Sequence, residues 1–140
     1  MLLDRILFNN RTPAVLKKAL DFQSQRHLLV SSNISNLDTP GFKAKDVNFE
    51  GQLRQAIGTT GDLKMATTHG KHIGPGNSAV KKMSPDVFEE PDPAKSNGNN
   101  VNLDKEMMKL AENQIAYNAT TQLLGKRAST IRAAITEIAQ

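Results

Sequence analysis

Apolar and small residues recur in a strict four–three alternation along the C-terminal part of this 140-residue chain. The row runs Leu103, Met107, Leu110, Gln114, Tyr117, Thr121, Leu124, Ala128, Ile131, Ile135 and Ile138. Held without a break over 36 residues, this spacing puts every member on one side of a helix about 54 Å long. A seven-residue period sustained this far favours helices wound against other helices. The row is impure, because Gln114, Thr121 and Ala128 occupy core positions. Small and polar members weaken a two-stranded zipper and suit a crowded bundle, in which different faces meet different neighbours. An antiparallel hairpin packed on its own core would show the same stripe, so periodicity alone leaves both readings open. Asn102 is placed to cap the helix, and Asp104 and Glu106 suit its positive end. Glu106–Lys109 and Lys109–Glu112 are i,i+3 pairs, each worth about 0.2–0.5 kcal/mol. Gly125 is the one internal weak point, at a cost of about 1 kcal/mol.

The N-terminal part carries a shorter version of the same pattern. Thr12 and Pro13 form a favoured start, cap followed by proline in the first turn. Leu16, Leu20, Gln23, His27, Val30, Ile34 and Leu37 then alternate by 4 and 3, with Val15, Ala19, Phe22 and Leu29 alongside. The result is one broad apolar face on a helix of about 37 Å. Leu2, Leu3, Ile6 and Leu7 read as a further short amphipathic turn.

Between the two helices the composition changes. Eight of nine glycines lie between Gly41 and Gly98, and five of six prolines between Pro40 and Pro93. The expected fold is therefore mainly α: long N- and C-terminal amphipathic helices packed as a coiled-coil-like pair around a loop-rich middle. Three segments follow, 1–37, 38–101 and 102–140. Within the middle, Phe42, Val47 and Phe49 predict an extended piece. Phe49, Leu53, Ala56 and Ile57 predict a short helix ended by Gly58, and Asp62–Ala66 a strand. Residues 84–100, rich in Pro, Asn and Ser, read as mobile loop.

Several function classes lose support at this point. Net charge is +4, but it is spread along the chain, and no basic stripe is interleaved with stacking aromatics. Nucleic acid is accordingly not expected as a partner. With no cysteine, disulfides, thiolate catalysis and Cys-based zinc sites fall away. No apolar run approaches the roughly 20 residues of a membrane span, and the N-terminus lacks the pattern of a cleaved secretory signal. His69 and His72 have a metal-like spacing but no third ligand nearby, and Gly70 argues against a rigid helix holding them. Asp86, Glu89, Glu90 and Asp92 sit among prolines and read as a solvated acidic turn. The chain is not expected to be an enzyme, to use a cofactor or metal, or to bind a small-molecule substrate.

One segment remains, Asn33-Ile34-Ser35-Asn36 followed by Asp38-Thr39-Pro40-Gly41-Phe42-Lys43. Pro40 and Gly41 stand at the second and third positions of a type II turn, and Pro40 disfavours helix at Thr39. Asn33 and Asn36 lie where the helix runs out of partners for its last carbonyls, so their amides can bond those carbonyls or a neighbouring chain. A long helix, a spaced Asn pair and this exit turn together resemble the N-terminal signature of the bacterial flagellar axial proteins. Within that family the short middle, the Leu16-to-His27 start, Thr68-His69 to His72-Ile73 and the Gly98-to-Met107 stretch are similar to the proximal rod proteins. Ser31, Ser32, Ser35 and Leu37 depart from the residues usual there.

The resemblance implies a structural subunit of the flagellar basal body, in a rod crossing the periplasm. Its terminal helices would assemble into a hollow drive shaft joining the membrane ring to the distal rod and hook, as motility requires. Implied partners are copies of itself, other rod proteins, the small rod-base protein FliE, the membrane-ring protein and the flagellar type III export apparatus. Export would occur without cleavage of a signal peptide. Asn33, Ile34, Asn36, Asp38, Thr39, Pro40, Gly41, Phe42 and Lys43 would carry the signature. Leu16, Leu20, Val30, Leu103, Met107, Leu110, Tyr117, Leu124, Ile131, Ile135 and Ile138 would pack the helices. The competing reading is a helical adaptor or homo-oligomeric coiled coil unrelated to flagella.

Overall fold

A computed structural model of the chain describes residues 12–57, 80 and 82–136. Helix α1 spans Thr12–Ser35, strand β1 Lys45–Val47, helix α2 Phe49–Ile57, strand β2 Val87–Glu89 and helix α3 Leu103–Thr136. The architecture is mainly helical, with the long N- and C-terminal helices packed together and a loop-rich middle. Residues 1–11, the Asp62–Ala66 strand expectation, the His69/His72 pair and Ile138 lie outside the described residues.

The two long helices run antiparallel: Asn33, late in α1, meets Glu106, early in α3, while Gln23 meets Asn113 and Thr120 further on. Helix α3 keeps its course through Gly125. Its first turn is capped by Asn102, whose Oδ1 accepts from the Lys105 amide at 3.3 Å. At its other end α1 tightens before it stops. Asn36 N–H is shared between the Ser32 and Asn33 carbonyls at 3.1 Å, and Leu37 N–H bonds Ile34 O at 3.2 Å.

β1 and β2 form a two-stranded antiparallel ribbon, pairing Lys45 with Glu89, Asp46 with Phe88 and Val47 with Val87. Its presence corrects the reading of 84–100 as mobile loop. Val87 and Phe88 favour a strand, but a stretch this short between Pro85 and Pro91 shows no alternation; the pairing with β1 makes it one. Helix α2 starts on an Asn48 cap, Gly51 N–H to Asn48 Oδ1 at 3.0 Å. It sets Phe49 against Phe22 of α1, ring centres 4.7 Å apart and tilted by 49°.

Among the described residues, Ala19, Phe22 and Val30 of α1, with Ala44, Val47, Val80 and Val101, are the buried apolar residues. The face of α3 turned inward is polar. Glu106, Asn113 and Thr120, seven residues apart, are its buried residues, and they lie on the flank of the predicted apolar row. Large apolar side chains of the same helix stay exposed, among them Leu103, Met107, Met108, Ile115, Tyr117, Leu123 and Ile135.

Candidate functional site

The signature segment forms the corner at which the chain leaves α1. Phe42 N–H bonds Thr39 O at 3.3 Å, closing the turn, and Gly41 has φ of 73°. Positive φ at the third position is the type II geometry, which a residue with a Cβ adopts only with strain. Pro40 and Gly41 are at the surface, and a Cβ on Gly41 would meet nothing within 4 Å. Glycine is needed there for the backbone angle rather than for space.

Asn33 is the centre of the corner and is fully buried. Its Nδ2 donates to Lys45 O at 2.9 Å, and its Oδ1 accepts from Lys45 N–H at 3.0 Å. This two-way pairing imitates a β-bridge and covers the edge of β1 that faces away from β2. The second proton of the same amide goes to Glu106 Oε2 at 2.8 Å. One side chain thus joins α1, β1 and α3. Asn36 acts locally: its Nδ2 donates to Ser32 O at 2.8 Å, and its Oδ1 accepts from the Thr39 hydroxyl at 3.1 Å.

A second strand of chain, 97–101, clamps the turn from the other side. Asn99 is 0% exposed, and its Nδ2 donates to both Asn36 O at 2.9 Å and Thr39 O at 2.8 Å. It adds a second donor to two carbonyls of the exit turn that already accept from Thr39 N–H and Phe42 N–H. Its Oδ1 accepts from Val101 N–H at 2.7 Å. Asn100 does the same for the ribbon, accepting from Ala44 N–H at 2.7 Å and donating to Glu90 O at 2.9 Å. Gly41 N–H reaches Asn97 O at 3.0 Å, and Lys43 Nζ reaches Gly98 O at 2.9 Å. Gly98, with φ of 80°, faces Gly41 across the clamp; a Cβ on it would stand 3.5 Å from Gly41 Cα.

Charged groups close the inner side. Arg26 Nε donates to Asp46 Oδ1 at 3.0 Å, and its Nη2 to Val47 O at 2.6 Å. Lys109 is shared by Glu90, by Glu106 Oε1 at 3.1 Å and by Asp46 at 3.5 Å. Lys105 lies 2.8 Å from Glu90 Oε2 and pairs with Asp92. Burial pushes the Glu106 carboxyl above its ordinary 4.5, with Asp46 and Asp92 adding to the rise and Asn33 and Lys105 opposing it. Burial likewise draws Lys109 below its ordinary 10.5, against the pull of Asp46. The acidic turn is corrected here: Glu90 is buried among lysines, because the ribbon folds it against the start of α3.

The other predicted residues are placed as follows. Asp38, Thr39 and Pro40 are at the surface, and Ile34, Phe42 and Lys43 are half-buried. Val30 is buried in the seam, and Leu16, Leu20, Leu110, Leu124 and Ile131 are half-buried. Leu103, Met107, Tyr117 and Ile135 are exposed. Sequence reasoning did not single out Arg26 or Asp46, named Asn99 and Asn100 only within the Gly98-to-Met107 resemblance, read Glu90 as part of a solvated turn, and took Glu106 and Lys109 for an i,i+3 pair within the helix. The legible trace was the polar heptad Glu106, Asn113, Thr120 beside the apolar one, and the Asn99-Asn100 doublet ahead of a helix cap. No group of three or more His, Cys, Asp or Glu residues among the described residues is arranged to hold a metal. No helix among them is long and apolar enough to cross a membrane.

Fold and corner together define a mainly helical protein, whose asparagine-stitched elbow sets the angle between the helix pair and the ribbon. A family model described as "Flagella basal body rod protein" matches residues 15–43, which span α1 and the exit turn. "Flagellar basal body rod protein FlgB" of Yersinia enterocolitica is 35% identical over 118 residues, covering 78% of this chain and 82% of its own. The protein of that name from Cereibacter sphaeroides is 34% identical over 118 residues, covering 84% and 88%. The one from Borreliella burgdorferi is 34% identical over 108 residues, covering 74% and 80%. The chain belongs to the flagellar basal body rod protein family and is a structural subunit of that rod.

Proposed function

We propose that the chain builds the proximal part of the rod by packing α1 and α3 against neighbouring subunits, with the corner as a rigid elbow between this helical wall and the ribbon outside it. The observation that carries the reading is the division of the helix pair. Inside the chain the helices meet through Asn33, Glu106, Asn113, Gln23 and Thr120. Outside they offer Leu28, Leu103, Met107, Met108, Ile115, Tyr117, Leu123 and Ile135 to solvent. Large apolar side chains left in water, here spread around α3, gain by being covered. At about 25 cal/mol per Å2, covering the side chains of a few such residues supplies several kcal/mol per contact.

In this reading the three segments 1–37, 38–101 and 102–140 are shaft, outer ribbon and shaft. The signature residues Asn33 to Lys43 hold the elbow, and the exposed members of the apolar row face copies of the chain or other rod proteins. Partners at the ends of such a stack are FliE and the membrane-ring protein, and the subunit reaches its place through the type III export apparatus with its N-terminal segment uncleaved. No catalytic role is part of the proposal. A strain lacking the gene tests it: electron microscopy of its basal bodies should show the membrane ring retained and no rod. Complete rods in that strain would contradict it.

A further inference from the structure

Four carboxylates and three cations share the inner side of the corner. From α1 comes Arg26, from β1 Asp46, from the segment after β2 Glu90 and Asp92, and from α3 Lys105, Glu106 and Lys109. The cluster thus carries one negative charge more than its cations balance. Glu106 is the carboxylate with least access to water, its side chain 1% exposed. One of its oxygens faces the Asn33 amide and the other Lys109. Lys109 has two other carboxylates to turn to, Glu90 and Asp46.

We propose that the Asn33–Glu106 contact is a proton-regulated catch, at which acidification places one proton from solvent on Glu106 Oε1, releases Lys109 to Glu90 and Asp46, and tightens the corner. The bond from Asn33 survives, because Oε2 still accepts it. The charge count of the cluster becomes even, three against three, and the most deeply buried ion is removed. Burial acts in the same direction, raising the Glu106 carboxyl above 4.5. The folded corner then binds the proton at a pH where the unfolded chain has already lost it. Stability therefore rises as pH falls through the folded midpoint, and levels off below 4.5.

Two measurements test this on the full chain. Carbon-detected NMR of side-chain carboxyls, with Glu106 assigned by its loss in Glu106→Gln, should give a Glu106 midpoint above 4.5. Isolated basal bodies heated at pH values above and below that midpoint should lose wild-type rods at a lower temperature above it. In rods carrying Glu106→Gln, which is held in the uncharged form, the gap between the two temperatures should shrink. A Glu106 midpoint at or below 4.5, or a pH dependence unchanged by Glu106→Gln, would overturn the proposal.

Discussion

The corner and the helix shafts use opposite chemistry. At the corner, buried side chains are polar and paired: Asn33, Asn99, Asn100 and Glu106 all find partners within the chain. Along the shafts, apolar side chains are left outside, and Ile115 is 70% and Ile135 73% exposed. Directional bonds fix an angle and a register, because they fail when displaced by a fraction of an ångström. Apolar contact is non-directional and grows with area, so it suits the joining of many subunits. In the proposed reading the chain uses the first to set its own shape and leaves the second for its neighbours.

The comparison breaks most sharply at Asn33. Asn33→Ala removes three hydrogen bonds and leaves the Glu106 carboxylate buried without its amide donor, at an expected cost of about 3–5 kcal/mol. Swimming in soft agar and the yield of basal bodies should both collapse. Normal motility in that variant would show that the corner is held by something else. Next comes Asn99→Ala, which takes one of two donors from each of the Asn36 and Thr39 carbonyls and leaves the Val101 N–H without its acceptor. A loss of about 2–3 kcal/mol is expected, read as earlier thermal disassembly of isolated rods. Gly41→Val should cost about 1–2 kcal/mol through backbone strain alone, since no neighbouring atom meets the new Cβ. Gly41→Ala should cost somewhat less, because a β-branched side chain tolerates positive φ less well than Ala does, and no loss for Ala in the same disassembly assay would mean that the turn does not need glycine. Ile115→Asp is the smallest for the chain itself, within about 0.5 kcal/mol by circular dichroism, while assembly of the same variant should fall steeply. Equal losses of folding and assembly would erase the distinction between the two regions.

How much of this was legible depends on the range of the interaction. The helices were visible because Leu103 to Ile135 and Leu16 to Ile34 repeat at helical spacing, a local signal. The exit turn was visible because Pro40 and Gly41 constrain their own backbone. The short helix at Phe49 was visible from its apolar spacing and Gly58. Asn99 was not, since its role depends on carbonyls more than sixty residues earlier in the chain. Strand β2 was hidden for the same reason: Val87 to Glu89 have no strand pattern until Lys45 to Val47 lie beside them. The apolar rows were found, but periodicity states that a face exists and not what covers it. Helix α3 turns Glu106, Asn113 and Thr120 toward α1 because Asn33 and Gln23 bond to them, and much of the row beside them is left outward.

Thiol accessibility at one shaft position tests the division most directly, since the natural chain has no cysteine to confuse the signal. With Ile115→Cys, labelling by a small polar maleimide would be followed in the purified full chain and in isolated basal bodies. The account predicts fast labelling of the free chain and strong protection in the rod. Equal labelling in both states would contradict it.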